Sequence, residues 1–122
     1  MTLSMKLDLK ISTSEIFVSS RIAHHLTLVI NEFATNSLKH ALGSRKIVRI
    51  EVSATSFGNT VKLKYKDDGK GFPKEFLKGD FSHANIGFEL IRGIIDQSLD
   101  GKLKLQNRNG AIAIITFENQ TD

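Results

Sequence analysis

The stretch LVINEFATNSLKHAL, residues 28 to 42, decides the fold. Its apolar residues recur at helical spacing, yet a Glu, two Asn, a Lys and a His share it. With about 100° of turn per residue and Ile22 as the origin, Ile22, Leu26, Ile30, Phe33, Ser37 and Ala41 fall together as a core stripe. Glu32, Asn36 and Lys39 collect on one flank of that stripe, with His40 at its border. Asn31 falls on the opposite side, where water is its simplest partner. The pattern predicts a helix over 21–42, with Gly43 as a left-handed cap residue.

Two readings fit the polar flank. Residues at i, i+4 and i+7 can form an edge ladder worth a few tenths of a kcal/mol per contact. Asn is a poor helix former, because its amide competes for backbone hydrogen bonds. An acid, an amide and a base on one flank also supply acceptors for a metal and a donor for phosphate. By itself the helix does not choose between them.

Outward from the helix, alternation predicts five strands, at 6–11, 46–54, 60–65, 102–106 and 111–117. In the first, Leu7, Leu9 and Ile11 point one way, and in the second Val48, Ile50 and Val52 do the same. AIAIITF, 111–117, is apolar nearly throughout, which suits a central strand. FGNT, 57–60, carries turn residues and makes strands two and three a hairpin. A second helix is predicted over about 86–99, and a short piece over 14–20 with Ser14 as its cap. Strands with one wet face plus two or three helices imply a two-layer α/β sandwich. No linker or repeat divides the chain, so residues 1–122 are expected to form one domain.

Composition narrows the class. The 122 residues are 40% hydrophobic and 25% charged, proportions that exclude a disordered chain. There is no apolar run of membrane-spanning length and no signal-peptide pattern at the start. Without cysteine there is neither a disulfide nor a thiolate metal site. These features fit a cytoplasmic location, with no membrane segment in this stretch. The net charge of +4 raises nucleic acid as a partner. However, Lys62, Lys64 and Lys66 alternate with Val61, Leu63 and Tyr65, as on the wet face of a strand. No aromatic-rich strand face supports RNA binding either.

Between Lys66 and Ile86 periodicity fails, in KDDGKGFPKEFLKGDFSHAN. A loop of this length in a compact domain is functional or disordered. It opens with DDGKGF, 67–72, where Asp67 ends a strand and can accept a hydrogen bond from an exocyclic amine. Gly69 and Gly71 permit close approach there, although Asp-Gly is also common in plain turns. It closes on NIGFELIRGII, 85–95, where exposed amides at a helix start favour an anion. Capping accounts for Asn85 more readily than for Gly87.

In this order and spacing the three motifs resemble the ATP-binding domain of sensor histidine kinases. That domain belongs to the GHKL group, with type II topoisomerases, mismatch-repair ATPases and a heat-shock chaperone. NEFATNSLKH resembles its N box, in the branch ending in Lys-His, DDGKGF its first glycine box and NIGFELI its second. LDGKLKLQNRNGAIAIITF resembles the closing strand pair, so the likeness runs from about Leu7 to Phe117.

The resemblance implies a Bergerat-type fold, a mixed five-stranded sheet with two or three helices on one face, and ATP and Mg²⁺ as cofactors. It implies Glu32 as the catalytic polar residue and Asn36 as the Mg²⁺ ligand, with Lys39 on phosphate and His40 near ribose or adenine. Asp67 would take the adenine amine, and Gly69, Gly71 and Phe72 would make room for the ring. Asn85, Ile86, Gly87 and Phe88 would bring amides to the phosphates, beneath a mobile lid of residues 72–84.

The chain departs from the family in its single Gly87 where relatives often have two or three glycines, in Ala111 where many have Thr, and in a short lid. None of His24, His25 and His83 is read as a phosphoacceptor. The expected partners are therefore a phosphoacceptor histidine domain elsewhere and a response regulator, with the isolated piece monomeric. A stand-alone anti-sigma-factor serine kinase shares the fold, but its N box usually lacks the Lys39-His40 pair. A non-catalytic nucleotide-binding module would not require the acid at Glu32.

Overall fold

The computed structural model describes residues 6–13, 15–41 and 47–119, with side chains over 15–39 and 47–119. Strand β1 (Lys6–Thr13) leads through helix α1 (Ser20–Ala41) to β2 (Ile47–Phe57), which pairs parallel with β1. Strand β3 (Thr60–Asp67) returns antiparallel after a two-residue turn at Gly58 and Asn59, the predicted hairpin. After α2 (Lys74–Leu77) and α3 (Ile86–Gly93) come β4 (Lys102–Asn107) and β5 (Ala111–Glu118). The sheet order is β1-β2-β3-β5-β4, with β1 and β2 the parallel pair, so the expected mixed five-stranded sheet is present.

Alternation builds one core face. Val48, Ile50 and Val52, then Val61, Leu63 and Tyr65, then Ala113, Ile115 and Phe117 are buried. They lie in one hydrophobic cluster with Ile22, Val29 and Phe33 of α1 and Phe88 and Ile91 of α3. On the open face Lys62 and Lys102 flank Thr116, and Lys64 and Lys104 flank Ile114. These four lysines are exposed. Their aliphatic stems can shield Ile114 and the Thr116 methyl group while the ammonium groups stay in water. The apolar run of β5 thus belongs to an inner strand, as expected.

Some expectations shift. Residues 15–19 are not helical, and Ser14 lies outside the described residues, as do Gly43 and the side chains of Leu7, Leu9 and Ile11. Ile16 and Val18 pack on the core while Phe17 is exposed, an extended alternation. Ser19 caps α1 instead, its hydroxyl accepting from the Ile22 amide at 3.2 Å. The buried line of α1 is Ile22, Val29, Phe33 and Ser37. Leu26 and Ile30 are only half-buried, so the stripe turns slightly toward the polar flank. The second helix is α-helical to Gly93 and continues as one π-helical turn over Ile94–Ser98. That turn is closed by the Leu99 amide on the Ile94 carbonyl.

Candidate functional site

Above the Asp67 end of β3 lies a cavity of about 190 Å³ between α1, the 71–85 segment and α3. Phe33, Asn36, Ser37, Tyr65, Phe72 and Phe88 form much of its wall, with Gly71, Pro73, Phe76, His83, Asn85 and Ala111 completing it. This is below the roughly 300–1,000 Å³ of pockets that enclose whole ligands. It suits a flat ring system whose polar tail extends outward along α1.

Behind that wall, hydrogen-bonded to its lining residue Ser37, Asp67 is buried on the core face, whereas its neighbour Asp68 accepts from the Arg49 amide on β2. Asp67 Oδ1 accepts from the amides of Gly69 and Ala111, each at 3.0 Å. Asp67 Oδ2 accepts from the Ser37 hydroxyl at 2.6 Å, and Ser37 Oγ lies 2.6 Å from the Tyr65 phenol. Gly69 therefore serves through its amide. Gly71, with φ +88, is where a side chain is excluded, since a Cβ would lie 2.6 Å from Asn107 Oδ1.

That asparagine escaped sequence reading. Asn107 Oδ1 accepts from the Phe72 amide at 2.7 Å, and its Nδ2 donates to the Phe72 carbonyl at 2.9 Å. The pair of bonds mimics a strand rung and pins Phe72 in the cavity wall. Its only sequence signal is its place before the turn of the closing strands.

Burial pushes the Tyr65 phenol well above its usual range, and the Asp67 charge adds to it. The native state then holds a proton that the unfolded chain releases above about pH 10, so stability falls as pH rises past that point. Tyr65 is the only tyrosine and tryptophan is absent, so tyrosinate absorbance reports this residue alone. The native protein is expected to show no tyrosinate near pH 10, gaining it only at higher pH or on unfolding. A native titration midpoint near 10 would contradict the buried placement.

At the cavity mouth the polar flank of α1 meets α3. Glu32 and Asn36 are half-buried, and among the described residues neither side chain has a hydrogen-bond or ion-pair partner. A Cβ on Gly87 would lie 2.5 Å from Glu32 Oε2, so the glycine leaves the space that this carboxylate occupies. Asn85 caps α3 by accepting from the Phe88 amide at 2.8 Å. This leaves the amides of Ile86 and Gly87 as the open donors. The Phe88 amide is thereby spent on the cap, and its ring is core. Lys39 is exposed, the Ile86 side chain points away at 89% exposure, and the His40 side chain is outside the described residues.

The 72–84 stretch has more order than its sequence implied. Lys74–Leu77 forms one helical turn closed by Gly79 and Asp80 amides on the Phe76 and Glu75 carbonyls, a Schellman pattern. Phe76 and Phe81 stack on Phe88 at 4.8 and 5.3 Å between centroids, and Arg92 lies 4.2 Å over the Phe81 ring. Aromatic packing holds the segment over the cavity where periodicity could not reveal it.

Among the described residues no cluster of three or more His, Asp or Glu could cage a metal. The donor set fits Mg²⁺ only as an ion that phosphate and water would largely hold, with the Asn36 amide oxygen, which has no partner among the described residues, as the protein oxygen that would reach it.

A layered α/β sheet with an acid-and-amide flank beside an aromatic cavity defines a nucleotide-binding class. The chain belongs to the family of histidine kinase-, DNA gyrase B- and HSP90-like ATPases, whose model matches residues 22–121. Blue-light-activated histidine kinase 2 of Erythrobacter litoralis is 26% identical over 118 residues, 94% of this chain and 32% of that protein. Sensor histidine kinase ComP of Bacillus subtilis is 27% identical over 104 residues, 84% of this chain and 13% of that protein. The chain thus spans about a third or less of the length of these relatives. Among solved structures, the histidine kinase domain of an Erythrobacter litoralis blue-light-activated kinase superposes with a TM-score of 0.75 at 21% identity. That match covers 93% of this chain and 52% of the other. Acinetobacter baumannii histidine kinase AdeS gives 0.74 at 18% identity, over 95% and 56%.

Proposed function

We propose that residues 1–122 form the catalytic domain of a sensor histidine kinase, binding Mg-ATP and passing its γ-phosphoryl group to a histidine of a phosphoacceptor domain. The observation that carries this is the Glu32 carboxylate against Gly87, without a partner among the described residues and one turn from Asn36, which lines the cavity whose wall residue Ser37 holds Asp67. Adenine would enter between Phe33, Phe72 and Phe88 and give its amine hydrogen to Asp67. The phosphates would run outward to Lys39 and the open amides of Ile86 and Gly87. Mg²⁺, when bound through Asn36, supplies charge neutralisation to the phosphates. Glu32 takes the proton of the attacking imidazole as its nitrogen bonds the γ-phosphorus and the bond to the ADP oxygen breaks.

Ile86 and Leu90, one turn apart on α3 and both exposed, offer an apolar strip on which an acceptor helix can rest. Histidine kinase ThkA is known in complex with the response regulator TrrA, which supports a response regulator as downstream partner here. The expected setting is the cytoplasm, with the isolated domain monomeric. Among the described residues no helix is long and apolar enough to cross a membrane.

The test is incubation with ATP labelled at the γ-phosphorus and the phosphoacceptor domain of the same kinase. Label on the acceptor that is lost in mild acid but survives alkali marks phosphohistidine and is the expected result. Acid-stable label would mark a serine kinase and overturn the histidine assignment.

Asn36→Ala should keep the fold, because the residue sits half-buried with no partner among the described residues to lose. Losing even an outer partner of a metal ligand costs about 10–100-fold in metal affinity. Nucleotide affinity in Mg²⁺ should therefore fall at least about 10-fold, to the level measured in EDTA. Unchanged affinity would remove Asn36 from the metal site.

A further inference from the structure

Ser37 and Tyr65 are buried polar residues that the proposed chemistry does not use, and both line the cavity. A serine hydroxyl carries one hydrogen. It goes to Asp67 Oδ2 at 2.6 Å, so the 2.6 Å contact between Ser37 Oγ and Tyr65 must be a hydrogen bond donated by the phenol. Asp67 Oδ1 is already taken by two amides. Tyr65 is held in place by stacking on Phe33 at 5.0 Å. Every hydroxyl hydrogen of the trio is thus consumed within it, and what remains for a ligand is acceptor capacity, chiefly the second lone pair of Asp67 Oδ2.

We infer that the Tyr65–Ser37 relay is a specificity-determining device, which fixes Asp67 as a pure acceptor and selects 6-amino over 6-oxo purines. This inference rests on the reading of the cavity as an adenine site and adds the residues that set its selectivity. An amino group at position 6 donates to Asp67. An oxo group there meets lone pairs, and no hydroxyl is free to turn and satisfy it. Ser37 and Tyr65 act through Asp67 and are positioning residues. With Ser37 removed, Asp67 Oδ2 loses the partner that orients it. With the Tyr65 hydroxyl removed, Ser37 keeps Asp67 company but is no longer locked, and its hydrogen is free to turn toward a 6-oxo group.

The experiment measures affinities of Mg²⁺ complexes of ATP, inosine triphosphate and purine riboside triphosphate, which lacks the 6-amino group. The wild-type protein, Ser37→Ala and Tyr65→Phe are compared. Ser37→Ala is expected to weaken ATP about 5- to 30-fold while changing purine riboside triphosphate far less. Tyr65→Phe should narrow the preference for ATP over inosine triphosphate, and it preserves ring packing should the serine variant fail to fold. A loss of equal size for all three ligands would mean a merely structural role and overturn the proposal. Unchanged ratios in both variants would also overturn it, with the adenine site left standing. A wild-type protein that binds none of the three would overturn the adenine reading itself, and the relay with it.

Discussion

Glu32→Gln is expected to slow phosphoryl transfer to the acceptor by about 10²–10⁴-fold, the usual contribution of a positioned general base. Affinity for an ATP analogue should stay within about twofold, since the amide keeps the shape and a uniform binding role would have moved affinity instead. The separation follows from placement. Glu32 lies outside the cavity wall, against Gly87, and has no partner among the described residues whose loss would unfold α1. Single-turnover transfer beside calorimetric affinity checks this. Equal losses in both would make Glu32 a binding residue, and no loss in either would make it part of an edge ladder.

Asp67→Asn should reduce ATP and ADP affinity alike, by about 10- to 100-fold, because a hydrogen bond to a charged group is lost and a donor replaces an acceptor. The side chain holds the amides of Gly69 and Ala111 with one oxygen and Ser37 with the other. An asparagine can satisfy the two amides with its oxygen. Its NH₂ group then faces both the Ser37 hydrogen and the adenine amine, so the serine must turn and the base loses its acceptor. Affinity for ATP, ADP and GTP by calorimetry tests this. If ATP falls while ADP does not, Asp67 acts on the phosphates. If the wild-type protein binds GTP as well as ATP, the adenine assignment fails.

Local patterns carried much of this into the sequence. The alternation read over 60–65 gave the exposed Lys62 and Lys64, and in the structure it runs on two residues further and carries Asp67 to the core face two positions after Tyr65. The polar flank of α1 emerged from angular position alone. What stayed hidden depends on residues far apart in the chain. Ser37 reads as one more member of an apolar stripe until Asp67 is brought to it from 30 residues away. Asn107 reads as a turn residue until it meets Phe72 across 35 residues. Helix α2 is a single turn, too short for a period to register, and the 72–84 stretch is organised by phenylalanines whose common partner is Phe88. Gly87 shows the same limit from the other side. Its position hinted at an anion site, while the steric reason for it comes from the Glu32 carboxylate.

Calorimetric titration of a non-hydrolysable ATP analogue into the protein, first with Mg²⁺ and then with EDTA, tests whether the cavity and the α1 flank form a nucleotide site. Saturable one-to-one binding that weakens on chelation is the predicted result. Absence of binding in both conditions would contradict the account and leave a family fold retained for contacts with other proteins.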